Sequence, residues 1–197
     1  AQLSRGLGDV YKRQVLFGKI GQAIAERAMG FGVELMVYDP YISQSSIEKM
    51  GCRPVNKETL IRESDFLMMQ APMTEETHHF LSFDEFKLMK SNAIVINTGR
   101  GPTIDNKALY QALTQQEIAA AGLDDPEEEP AKRSSWDPKD NPIFSLPNVL
   151  VTPHAAYYSE ESIRIARETA ATQVAKMIRG EVPDYLLNPE VLNLQQN

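Results

Sequence analysis

From Phe17 onward the apolar residues fall into two alternating rhythms. Ile20, Ala23, Ile24, Ala28 and Phe31 recur at spacings of three and four, which predicts a helix that opens at a glycine turn and ends near Gly30 and Gly32. The next run, "VELMVYD" (33–39), alternates Val33, Leu35 and Val37 as a strand does. Further strands are predicted at "DFLMMQ" (65–70), "NAIVINT" (92–98), "AAAGLD" (119–124) and "NVLVT" (148–152). Several are apolar on both faces, so a parallel sheet covered by helices is expected rather than an antiparallel sheet with one wet side. Helix starts lie between the strands: Asn56 before "KETLIRE", Ser82 with Glu85 three residues on as a capping box, and Asp105 before "NKALYQAL". The fold class predicted is α/β, a doubly wound parallel sheet or Rossmann fold.

Two segments break the rhythm. Residues 125–147 contain five prolines and mixed charge, a loop too long to be a mere connection. From about Ser159 to Arg179, Ile163, Ala166, Ala170, Val174, Met177 and Ile178 share one helical stripe. Glu160 and Glu161 suit the positive end of that helix, and Lys176 and Arg179 its negative end before Gly180.

Composition narrows the class of protein. With 197 residues, 42% hydrophobic and 24% charged, the chain can bury a full domain core. A net charge of −7 and no basic run longer than Lys12-Arg13 argue against nucleic acid as a partner. The longest apolar runs are far short of the roughly 20 residues of a membrane helix, so no membrane partner is expected. Cys52 is the sole cysteine, which excludes an internal disulfide and a cysteine metal cluster. No metal site is expected, and the location expected is the cytoplasm.

The candidate chemistry begins at the glycine turn. In the pattern G-x-G-x-x-G the middle glycine lets backbone N–H groups reach a pyrophosphate at a helix N-terminus. Gly18 and Gly21 fill the second and third positions and Leu16 stands at the first, so the motif is two-thirds present. Asp39 ends the following strand, 21 residues after Gly18, where a carboxylate accepts the adenosine ribose hydroxyls and repels a 2′-phosphate. That favours NAD over NADP. Three further polar residues stand at or beyond strand ends, where open α/β sheets gather ligands: Arg100, Glu129 and His154.

The segments "FGKIGQAIA", "YDPY", "INTGRGPTIDNKALYQAL", "AGLDDPEEEP" and "VTPHAAYY" together resemble the D-isomer-specific 2-hydroxyacid dehydrogenases. The wording is most similar to the branch with C-terminal-binding proteins and phosphoglycerate-dehydrogenase-like enzymes. The resemblance implies hydride transfer between NAD and a small 2-hydroxy or 2-oxo acid. It implies that Arg100 holds the substrate carboxylate, His154 is the general acid-base, and Glu129 pairs with His154 and raises its pKa. It further implies that Gly18, Lys19, Ile20 and Gly21 line the pyrophosphate and Asp39 the ribose. Ala71 and Pro72 would lie on the nicotinamide side, with Thr77, Thr98, Gly99, Arg100, His154 and Ala156 along the cofactor and Asp124 at the carboxamide. Tyr157 would line the substrate pocket. His78 and His79, in a polar loop, are expected to face solvent. Gln70 and Asp125 depart from the family's usual His and Val, and altered polarity is expected there.

Three polar side chains, Lys12, Arg13 and Gln14, are not expected in a central parallel strand because of their desolvation cost. Residues 1–14 are therefore read as a non-native leader, 15–157 as the NAD-binding domain, and 158–197 as a crossover helix and tail toward a largely missing substrate domain. The resemblance implies a homodimeric full-length parent and an inactive fragment that exposes apolar surface. A non-catalytic NAD(H)-sensing, corepressor-like protein is the alternative that the same residues allow.

Overall fold

The computed structural model describes residues 17–127, 135 and 137–190, and the backbone alone of 11–15 and, among 137–190, of 138. Seven parallel strands form one sheet: β1 (Tyr11–Val15), β2 (Glu34–Tyr38), β3 (Arg53–Pro54), β4 (Phe66–Met69), β5 (Ile94–Asn97), β6 (Ala120–Leu123) and β7 (Val149–Val151). Their order is β3-β2-β1-β4-β5-β6-β7. The helices are α1 (Lys19–Met29), α2 (Gln44–Lys49), α3 (Lys57–Glu63), α4 (Phe83–Leu88), α5 (Asn106–Thr114) and α6 (Glu160–Ile178). The doubly wound sheet is thus as expected, and its direction of growth reverses between β1 and β4. Ligands of such sheets sit outside the carboxyl ends of the strands at that reversal.

Neighbouring residues of β2 divide between the two faces. Leu35 and Val37 join Phe17, Ala25, Ala28, Ile47 and Cys52 in one apolar cluster, and Met36 joins the larger cluster under α3, α4 and α5. This period of two, buried on both sides, is why the strand reads as a nearly continuous apolar run. The start signals also act as read. Asn56 Oδ1 accepts from Thr59 N at 2.8 Å, Ser82 and Glu85 form a capping box, and Asp105 Oδ1 accepts from Lys107 N and Ala108 N.

Four expectations are corrected. The stripe assigned to α1 is rotated: Gly21, Ala25 and Ala28 face the core, while Ile20 and Phe31 are 68% and 69% exposed. Small side chains let the helix lie close on the sheet, and a hydrophobicity count misses that. Residues 11–15 do form the central strand, paired with Glu34–Tyr38 on one side and Phe66–Met69 on the other. The ladder uses backbone groups alone, whereas the expectation weighed the side chains of Lys12, Arg13 and Gln14. The face of β5 to β7 opposite the larger cluster is incompletely covered, with Ile94 and Ile96 half-buried and Leu150 70% exposed. His79, expected in solvent, is half-buried, and both its ring nitrogens face carboxylates.

The chain divides into two compact units, Ala1–Ala156 and Tyr157–Asn197. In the second, Ser159 caps α6 reciprocally with Ser162, and Lys176 and Gln173 hold Asp184 beyond the helix end. No residue of α6 is buried. Among the described residues no helix is long and apolar enough to cross a membrane.

Candidate cofactor and catalytic site

The turn after β1 presents an open helix N-terminus. Gly18 is the N-cap of α1 with extended backbone, no side chain caps the helix, and its first turn carries no acidic residue. A Cβ at Gly18 would meet nothing within 4 Å, so open space lies beside it. First-turn N–H groups have no intrahelical partners and attract anions. Lys19 and Ile20 are exposed there and Gly21 is buried beneath. Leu16, at the first position of the motif, lies outside the described residues.

Asp39, just past β2, ties the turn down. Its Oδ2 accepts from Phe17 N at 2.7 Å and its Oδ1 from Tyr41 N at 2.8 Å. Each carboxylate oxygen has two acceptor positions, so the group retains capacity for ribose hydroxyls. It lines a cleft of about 670 Å³ with Tyr38, Pro40, Ile42 and Val55. An anion-receptive helix end beside a carboxylate-marked cleft fits a dinucleotide.

On the far side of the reversal, the loops after β4 and β5 nearly touch. A Cβ at Gly99 would lie 3.2 Å from the carbonyl oxygens of both Met69 and Ala71. Ala71 is buried and Pro72 exposed. Thr77 is buried and shapes its own loop, donating to Pro72 O at 2.6 Å and accepting from Thr74 N at 2.8 Å. Gln70 Nε2 donates to Thr98 Oγ1, so the altered polarity at residue 70 is absorbed by a direct hydrogen bond.

Arg100 is exposed, and its backbone is fixed from below. Buried Asn97 donates through Nδ2 to Arg100 O at 3.0 Å and accepts from Gly99 N at 2.9 Å. Thr103 Oγ1 adds a donation to Arg100 O at 2.6 Å. Asn97 and Thr103 are positioning residues that the motif reading missed; a buried amide at the end of an apolar strand was the available signal.

Asp124 organises the turn that carries His154. It is only 4% exposed; Oδ1 accepts from Thr152 Oγ1 at 2.5 Å and Ala155 N at 2.9 Å, and Oδ2 from Ala156 N at 2.8 Å. Burial pushes its carboxyl up, but the Thr152 hydroxyl, the N–H groups of Ala156 and Ala155 and the charge of His154 together hold it below the ordinary aspartate value. Three of its four acceptor positions are taken, leaving one on Oδ2 for the expected carboxamide. His154 is half-buried at φ 51°, and its backbone N donates to Asp124 O at 3.0 Å. A non-glycine residue in that left-handed region is strained, and such strain concentrates at functional sites.

The carboxyl ends of β5, β6 and β7 therefore bring Arg100, Asp124 and His154 to one edge of the sheet. Glu129 lies outside the described residues. Tyr157 is exposed and belongs to the second unit, with its ring edge-on to Tyr158. Buried Asp125 follows Asp124 directly.

Sheet order, glycine turn and strand-end residues define a nucleotide-binding α/β domain. Residues 15–156 match the family described as D-isomer specific 2-hydroxyacid dehydrogenase, NAD binding domain, and the chain belongs to it. It is 40% identical over 190 residues to a glyoxylate reductase of Korarchaeum cryptofilum, covering 95% of this chain and 55% of that protein. It is 41% identical over 172 residues to a D-3-phosphoglycerate dehydrogenase of Methanocaldococcus jannaschii, covering 87% and 32%. Among solved structures, the NAD complex of a D-isomer specific 2-hydroxyacid dehydrogenase from Lactobacillus delbrueckii ssp. bulgaricus superposes with a TM-score of 0.83 at 28% identity, covering 92% of this chain and 57% of that one. The chain spans about half the length of the glyoxylate reductases it matches.

Proposed function

We propose that this chain is the cofactor-binding half of an NAD-dependent oxidoreductase acting on the CH–OH group of a small 2-hydroxy acid. The observation that carries the proposal is the His154 turn, held in a strained conformation by the buried Asp124 at the sheet edge where Arg100 also emerges. The α1 N-terminus would hold the pyrophosphate and Asp39 the adenosine ribose, with NAD preferred because a 2′-phosphate would meet the Asp39 carboxylate. When bound, the nicotinamide supplies or accepts the hydride.

The chain's own residues do the rest. Arg100, an exposed planar guanidinium with one donor on Gly99 O and others able to fork onto a carboxylate, would orient the substrate. His154 would give a proton to the carbonyl oxygen in reduction and take it back in oxidation, work suited to an imidazole near neutral pH. Glu129 is proposed as its partner, a homodimer as the assembly of the full-length protein and the cytoplasm as its location; the glyoxylate reductase and D-3-phosphoglycerate dehydrogenase relatives support a 2-oxo acid as substrate.

In a protein that joins this domain to a substrate-binding part, His154→Gln should lower kcat by about 10²- to 10⁴-fold. The Kd for NADH should change far less than kcat. Equal loss of turnover and NADH binding would contradict the assignment. NADH-dependent assembly with no turnover on glyoxylate, pyruvate or hydroxypyruvate would favour the corepressor-like alternative.

A further inference from the structure

Away from the strand-end site, a second cluster of chemistry-bearing side chains joins the loop after β4 to the loop after β6. The nitrogen and oxygen donors of His78, His79 and Glu127 all lie within 4.8 Å of one another. They sit where a cleft of about 660 Å³ opens, lined by His79, Asp105, Tyr110, Glu127 and Asn141 among others. We propose that His78, His79 and Glu127 form a binding site for a divalent transition-metal ion of the Zn2+ type, with Asp105 positioning His79 from behind.

The local backbone is built for convergence. Successive side chains of an extended chain point to opposite sides. His79 instead has φ 48°, its N–H donates to Pro102 O at 2.8 Å, and the two imidazoles stack with centroids 3.9 Å apart. Both rings are thereby delivered to one place. Glu127 is held as well: Oε2 accepts from Asn106 N at 3.0 Å, leaving Oε1 directed at His79 Nε2, 2.5 Å away.

On the far side of the His79 ring a carboxylate stands near, outside hydrogen-bond distance, where metal-binding histidines commonly have one. Nδ1 lies 3.7 Å from Asp105 Oδ2, and Asp105 is itself fixed by donors from Lys107 N and Ala108 N. A carboxylate behind a ligating imidazole sets its tautomer and raises its basicity. Two imidazoles and one carboxylate match the donors of Zn2+, with a fourth position left to water. Tetrahedral ligands at about 2.0 Å from the ion lie roughly 3.3 Å apart, so the His79–Glu127 contact would open by under about 1 Å.

Protons balance simply. An ionised carboxylate only accepts, so Nε2 of His79 carries the proton in the present hydrogen bond. Ligation through Nε2 requires the other tautomer, with the proton on Nδ1 facing Asp105, so a neutral ring shifts its proton and releases none.

Zn2+ titration of this chain by calorimetry tests the site. One saturable site is expected, with no comparable heat from Mg2+, a cation that prefers oxygen ligands. His78→Gln, at an exposed position that the fold does not need, and Glu127→Gln should each weaken Zn2+ by about tenfold or more, and Asp105→Asn by about 10- to 100-fold through His79. Absence of a saturable Zn2+ site, or affinity unchanged in His78→Gln, would overturn the proposal.

Discussion

At the scale of single residues, Asp124 decides the site's geometry. Its ionised form is favoured in the folded state, so the stability it contributes is fully present above the ordinary aspartate value of about 3.9 and is lost as pH falls through the lower folded value. Asp124→Asn puts an amide group where N–H donors converge and should cost about 1–3 kcal/mol at neutral pH. Urea denaturation should show the gap between wild type and variant narrowing as pH falls below about 4; a constant gap would mean that charge is not what the clamp uses. The places of Arg100 and His154 were legible in the sequence because each follows a predicted strand, whereas Asp124 entered only through the family resemblance. Their supports were not: Thr152 meets Asp124 across 28 positions, and Asn97 looked like a strand end until its amide was seen beneath Arg100.

At the scale of elements, α1 shows where a hydrophobic pattern misleads. A helix crossing a parallel sheet closely needs small residues inward, and Ala25 and Ala28 are each 2% exposed, while Ile20 is 68% exposed. Ala25→Leu should therefore destabilise by about 1–3 kcal/mol through overpacking, and Ile20→Ser should change stability by less than about 0.5 kcal/mol. Chemical denaturation midpoints check both, and the reverse ranking would restore the stripe read from the sequence. Strands β2 and β4 to β7 and the caps were legible within a residue or two at each end, since their periodicities are local, whereas β1 was rejected on its polar side chains. Strand β3 and helix α2 were not read, because two and six residues carry too little period to register. The same closeness of backbone recurs at Gly101, where a Cβ would come within 2.5 Å of Pro126 C.

At the scale of the whole molecule, the first unit has a two-faced core, and among the described residues of the second no side chain is buried. Val174, Met177 and Ile178 are 55%, 64% and 81% exposed along α6. A solvatochromic dye should bind the native chain, and Val174→Lys with Ile178→Lys should reduce that signal while leaving the denaturation midpoint of the sheet unit in place. An unchanged signal would place the dye elsewhere, for instance on the open face near Leu150. The doubly wound class and the cofactor class were legible as a whole because the glycine turn and Asp39 bracket one turn-helix-strand unit. The central claim is that the open α1 N-terminus holds a dinucleotide, and titration of the chain with NADH, followed by nicotinamide fluorescence, tests it most directly. Gly18 has φ −65°, which any residue adopts, and open space at its Cβ, so Gly18→Val should fold as stably as wild type. The account predicts saturable NADH binding by the wild type and a loss of about tenfold or more, about 1.4 kcal/mol or more, in the variant; equal binding by the two would contradict it.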